Sequence, residues 1–233
     1  MTSLRRMHHR PTVPHMVFAF SLIILICPAA ISAQSPSESF ALAQVIEIFE
    51  DTQARRHELS RSEQIMRYDQ ARDILEPLIE SGANHADLWY WQAAIIGSRG
   101  EARGILAAAM EVSQVIDCLE RCIELDPNHA DAWATLARVH NALPGFMGGD
   151  RDMAVAAGRR ALAISLDSDG DPGMESAETA EYRAVLARAL WRRNEEGDRG
   201  EAQTLKLLTQ AWYGVPGRES IPERIAEDLA PIR

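Results

Sequence analysis

Two nearly identical words constrain this chain most. "NHADLW" occupies residues 84–89 and "NHADAW" residues 128–133, so Asn84 and Asn128 begin the same pattern 44 positions apart. Asn and Asp favour turns and helix starts, and the aromatic that follows is placed to meet a neighbouring helix. A word recurring at such a spacing predicts one structural unit used more than once, and a fold built by stacking that unit.

The residues after the second word extend the pattern. "ATLARVHNALPGFMGGDRDMAVAAGRRALAISLD" reads as a helix, a turn and a second helix, with Trp133, Leu136, Ala137 and His140 on the first and Ala154 and Ala161 on the second. Small residues belong at such places because two helices approach closely only where neither carries bulk. Upstream, Trp89, Ala93 and Ile96 take the same positions, followed by the helix "VIDCLERCIELDP" with Cys122 at the small site and Pro127 closing it. "AVLARAL" (184–190) echoes "ATLARVH" (134–140) 50 residues later, and Ala71, Leu75 and Leu78 suggest an earlier half-unit.

On these residues the chain resembles the tetratricopeptide-repeat (TPR) family, secreted bacterial type, over most of residues 38–213. The resemblance implies an all-α fold: a tetratricopeptide-like α-solenoid of antiparallel helix pairs, closed by a C-terminal capping helix. The spacings of 44 and 50 exceed the family's unit of about 34 residues. The first excess is expected in a loop around residues 98–109, between the two helices of a pair. The second is expected to divide between the loop "LPGFMGGD" (143–150) and the linker "DSDGDPGMES". Residues 38–57 should form an amphipathic helix on the first unit through Leu42, Val45, Ile46 and Phe49. In "SIPERIAEDLA", Ser220 and Glu223 suggest a capping box, and Ile221, Ile225 and Leu229 an apolar stripe that covers the end of the stack.

Residues 1–33 read as a secretory signal peptide, leaving 34–233 as one helical domain. Arg5, Arg6 and Arg10 precede the apolar run 16–27, and "PAAISA" precedes Gln34. An N-terminal membrane anchor is the alternative, although 16–33 is short for a span and contains Pro28. Export to the periplasm is the expectation. Removing the leader takes three arginines and no acid, moving the net charge from −10 to −13. So acidic a surface argues against nucleic acid as a partner.

Chemistry has few candidates. Cys118 and Cys122 lie one helical turn apart, awkward for a disulfide and too few for a metal site, so packing is their expected role. Asp167, Asp169, Asp171 and Glu178 match positions 1, 3, 5 and 12 of a calcium loop, but Pro172 stands where that loop needs Gly. Gly148 and Gly149 allow a tight turn before a helix that Asp150 caps; an anion on the turn's amides is the rival reading, although no Lys follows as in a phosphate loop. His85 and His129 are expected to face solvent at matching turns. No nucleophile motif, paired-histidine metal motif or Gly-rich cofactor turn occurs, so neither an enzyme nor a cofactor is expected.

What remains is a surface. The resemblance implies a concave face that takes a protein or peptide, and the repeat register places Arg138 and Arg188 at equivalent positions on it, with Tyr90, Asn141 and Trp191 nearby. Two arginines can receive carboxylates there, or pair with nearby acids such as Glu181. The expected function is non-catalytic protein or peptide binding, as a scaffold or adaptor, also within a membrane-associated complex. The alternative is a small-molecule-binding accessory of a TRAP-type solute transporter, which would need an enclosed pocket lined by Arg138 and the "PGFMGG" loop.

Overall fold

The computed structural model describes residues 36–169 and 175–233, and among them the fold is all-α. The expected leader lies outside the described residues, as do Asp171 and Pro172 of the acidic linker. No helix among the described residues is long and apolar enough to cross a membrane.

The helices follow in pairs: α1 (Pro36–Ala54) and α2 (Arg61–Glu80), α3 (Ala86–Arg103) and α4 (Ile105–Leu125), α5 (Ala130–Ala142) and α6 (Arg151–Asp169), α7 (Ala177–Arg193) and α8 (Asp198–Tyr213), with α9 (Glu223–Leu229) last. Each of the first seven packs on its successor, α1 also meets α3, α5 also meets α7, and α9 packs on α7. Short connections between packed neighbours make each pair antiparallel. The core is correspondingly a row of clusters, one over α1–α3, one from α3 to α7 and one from α6 to α9.

The repeated word marks the starts of α3 and α5, and its Asn and Asp have partners in both copies. Arg121 on α4 donates to Asn84 at 3.0 Å, and Arg160 on α6 donates to Asn128 at 2.8 Å. Asp87 meets His129 Nε2 at 3.2 Å, and Asp131 accepts from the Tyr182 hydroxyl on α7 at 2.7 Å. The Asn thus ties the start of one helix to the second helix of its own pair, and the Asp ties it to the pair that follows.

His129 departs from the solvent-facing expectation. Its Nδ1 lies 3.2 Å from the Ala132 amide and caps α5, and its Nε2 lies 3.2 Å from Asp87. The ring is 12% exposed and lies 4.9 Å from that of Tyr90. The hydrogen bond from His129 lowers the Asp87 carboxyl below its ordinary value, against its partial burial. His85, at the matching position, makes no side-chain cap.

The small positions are packed as their spacing requires. Ala71, Cys122, Ala154 and Ala161 are fully buried, and Cys118 and Cys122 are free thiols in the core. The long first spacing, in contrast, is absorbed by helix. α3 and α4 run to 18 and 21 residues against 13 for α5, and Gly104 alone joins them at φ 109°, a conformation that L side chains rarely adopt. The helices cross closely just before this turn: a Cβ on Gly100 would lie 3.1 Å from the Ala108 Cα. The small residues of "SRGEARGILAAA" therefore serve a tight hairpin rather than a loop.

Helix α7 is the most enclosed element, packed by α5, α6, α8 and α9. Its contact with α6 depends on Gly158, where a Cβ would stand 3.3 Å from the Leu186 Cα. A Gly158→Val variant is expected to lose about 2 kcal/mol of stability by overpacking this crossing. Urea unfolding checks it, and an unchanged midpoint would mean that the two helices are not in such close contact.

Candidate functional site

The surface of α3, α5 and α7 gathers four of the five residues singled out by the repeat register. Arg138 on α5 donates to Glu181 on α7 at 3.0 Å and lies 3.6 Å from Asp228 on α9. Arg224 on α9 pairs with the same Glu181 oxygen, which therefore bridges guanidinium groups from two helices. Arg188, two turns along α7 from Glu181, acts electrostatically on Asp228. Tyr90 on α3 is within electrostatic reach of Arg224 and Glu181. Burial, and then Asp131, push its phenol up to about 12, so it is a neutral hydroxyl at physiological pH.

Asn141 follows Arg138 by three residues and shares its face of α5. Its Oδ1 is buried and has no hydrogen-bond partner. Trp191 belongs elsewhere: it packs on the core of α6–α9, and the Arg199 guanidinium covers its ring at 3.7 Å from the centroid. Aromatic packing and a cation–π contact account for this side chain without a ligand.

The helix α9 completes the site. Its stripe forms as the spacing predicts, with Ile225 and Leu229 buried, joined by Ile232 and by partly buried Ile221 against the α7–α8 core. The side chains of Gln203 and Lys206 on α8 hold the carbonyls of Arg233 and Ile232. The Ser220–Glu223 capping box is absent, because the helix starts at Glu223 with Pro222 at its cap position. The box needs Ile221 in helical conformation, and the residue before a proline is pushed away from it. Glu223 instead meets His57, in the turn between α1 and α2, at 3.2 Å. The last helix thereby touches α5, α7 and the first turn of the described body.

Polar satisfaction under α9 is incomplete. Arg138 Nε, Arg188 Nη1, Asn141 Oδ1 and Asp228 Oδ2 are all buried without a hydrogen-bond partner. Each such group costs about 1–3 kcal/mol relative to a satisfied one. Around Arg188 the charge is further unbalanced: burial, then Arg188 and Arg151, depress the Arg192 guanidinium below its ordinary value. Burial pushes the Asp228 carboxyl up, although Arg138, Arg188 and Arg224 all act to lower it.

The other sequence candidates are engaged in local structure. Asp150 Oδ1 takes the amides of Asp152 and Met153 at 2.9 and 3.0 Å, so the start of α6 already holds a carboxylate of its own. Gly148 adopts φ 89°, and a Cβ on Gly149 would stand 2.1 Å from the Leu143 carbonyl, which fixes both glycines to the turn. Asp169 accepts from the Ser176 amide at 3.0 Å and the Thr179 hydroxyl at 2.6 Å, and these bonds hold its carboxyl below the ordinary value. No group of three metal-ligating side chains occurs among the described residues.

Arg224 and Asp228 are the site residues that sequence reasoning missed. Their spacing of four places both on one face of α9, but nothing in the order of residues says that this face returns to α5. Compared with protein-family models, curated proteins and solved structures, the chain has no match.

Asp228 yields a pH test. Its raised carboxyl means that the folded chain binds this proton more readily than the unfolded chain, so ionised Asp228 is a penalty at neutral pH that disappears on acidification. Asp228→Asn is expected to be more stable than wild type near pH 7, with the difference shrinking as pH falls through the carboxylate range. Urea midpoints of both proteins across pH check this, and a difference that widens toward acid would refute it.

Proposed function

We propose that this chain is an exported, tetratricopeptide-like solenoid that acts as a non-catalytic binding protein, receiving a segment of another protein on the surface formed by α3, α5 and α7. The row of core clusters supports the solenoid, since each helix pair shares its apolar residues with the next. One observation carries the binding role: an amphipathic helix, the chain's own α9, already docks beside that surface, its apolar stripe on the α7–α8 core and its charges paired with Arg138 and Glu181. A surface that takes one such helix has the chemistry to take another, in the helix-in-groove manner.

A second reading, a small-molecule-binding accessory of a transporter, draws support from the unpartnered Arg188 Nη1 and Asn141 Oδ1, which a small carboxylate would satisfy. The "PGFMGG" loop speaks for the first reading. It is tied to α5 by His140 Nδ1, which donates to the Gly148 carbonyl at 3.2 Å, and His140 lies on the opposite face of α5 from Arg138. Loop and arginine therefore do not line one pocket from the same side.

Residues 34–233, immobilised beside an Arg138→Ala/Arg188→Ala variant and exposed to periplasmic extract, test the proposal. Wild type is expected to retain a protein whose recovery falls at least about tenfold with the variant, the size of effect that truncated buried charge pairs produce. A metabolite released from the denatured wild type, with no protein retained, would move the assignment to the second reading.

A further inference from the structure

The described C-terminal helix is a poor match for the surface it covers. It leaves Arg188 Nη1, Arg138 Nε and Asn141 Oδ1 buried and unpartnered, and its own Asp228 reaches Arg138 only at ion-pair distance, 3.6 Å. Its pairing with His57 joins two side chains more than 70% exposed, where solvent screens most of the attraction. With only 7 residues α9 has no helical stability of its own, so it folds by docking and unfolds on release. The connection from α8, residues 214–222, is exposed apart from partly buried Ile221. Release thus breaks the bonds from Gln203 and Lys206 to the last carbonyls and the Arg224–Glu181 pair, and uncovers Ile225, Leu229 and Ile232 together with the polar floor.

Resting on the binding role given above, we propose that α9 is a displaceable occupant of the α5–α7 surface, and that its competitor is an amphipathic helix of another protein whose carboxylate meets Arg188 as well as Arg138. The chemistry of that partner follows from the floor. Its apolar side chains replace Ile225 and Leu229 on α7. Its carboxylate faces guanidinium groups from two helices, one of them without a hydrogen bond while α9 is docked. A donor on the next turn would satisfy Asn141 Oδ1. Tethering gives α9 an effective concentration in the millimolar range, so a free partner must make better contacts to win. The unpartnered donors supply the means.

A labelled synthetic peptide of residues 219–233 is the probe, and the full mature chain is the receptor. In wild type the site is occupied; in Ile225→Asp/Leu229→Asp it is vacated, because both apolar anchors are lost. The vacated chain is expected to bind the peptide at least about tenfold more tightly than wild type, and adding Arg138→Ala/Arg188→Ala is expected to remove that gain. Equal, negligible binding by wild type and the vacated, folded chain would overturn the proposal. Hydrogen exchange on unmutated protein gives a second readout, independent of variant folding: α9 amides are expected to exchange by local opening, faster than those of α7. Exchange of α9 only with global unfolding would make it an integral cap. A wild-type dimer formed by trading α9 would overturn the proposal too, because the occupant would then be a second copy. If α9 proves fixed while a periplasmic protein is still retained through Arg138 and Arg188, the displacement idea fails and the binding role stands.

Discussion

Close approach at α7 governs this structure. Ala180, Ala184, Ala187 and Ala189 are fully buried, and Gly158 on α6 brings that helix against the backbone at Leu186. Four helices pack on α7, whose buried surface interleaves these alanines with Tyr182, Val185, Leu186 and Leu190. The same crowding leaves Glu181 and Arg188, on the side that turns toward α5, as places where polar chemistry is held in partly buried surroundings. The candidate site is thus a by-product of packing: charged groups are kept within reach of one another by helices that cannot move apart without opening the core.

The junction word adds directional links to this non-directional packing. Asn84 and Asn128 each accept from an arginine on the second helix of their pair, while Asp87 and Asp131 each accept from the following pair. Hydrophobic contact alone tolerates sliding between helices; a hydrogen bond between fixed positions does not. The two aspartates therefore set the register with which α5 follows α3 and α7 follows α5, and register decides that Arg138 faces Glu181.

Much of this was legible because it is periodic. Small residues at Ala71, Cys122, Ala154 and Ala161 announced close helix contacts, and the stripe at Ile221, Ile225 and Leu229 announced a docked last helix. The lengths of α3 and α4 were not legible: Gly97, Gly100 and Gly104 resemble a loop, and only the crossing at Ala108 shows that two of them lie within a helix. The site divides in the same way. Arg138, Arg188 and Tyr90 follow from repeat register, a local property. Arg224 and Asp228 depend on where α9 lands, a contact across 90 residues that no local pattern encodes. Trp191 shares the register of the arginines, but its neighbours claim it for packing.

The central claim is that α9 is held on α5 and α7 by complementary charge as well as by its apolar stripe. A double-mutant cycle on Arg138→Ala and Asp228→Ala, read by urea unfolding, addresses it directly, since the residues are 90 apart in sequence and couple only if α9 is docked as described. Removing Arg138 should cost more while Asp228 is present, with a coupling energy on the order of 1 kcal/mol. Strict additivity of the two substitutions would contradict the placement of α9 and, with it, the site.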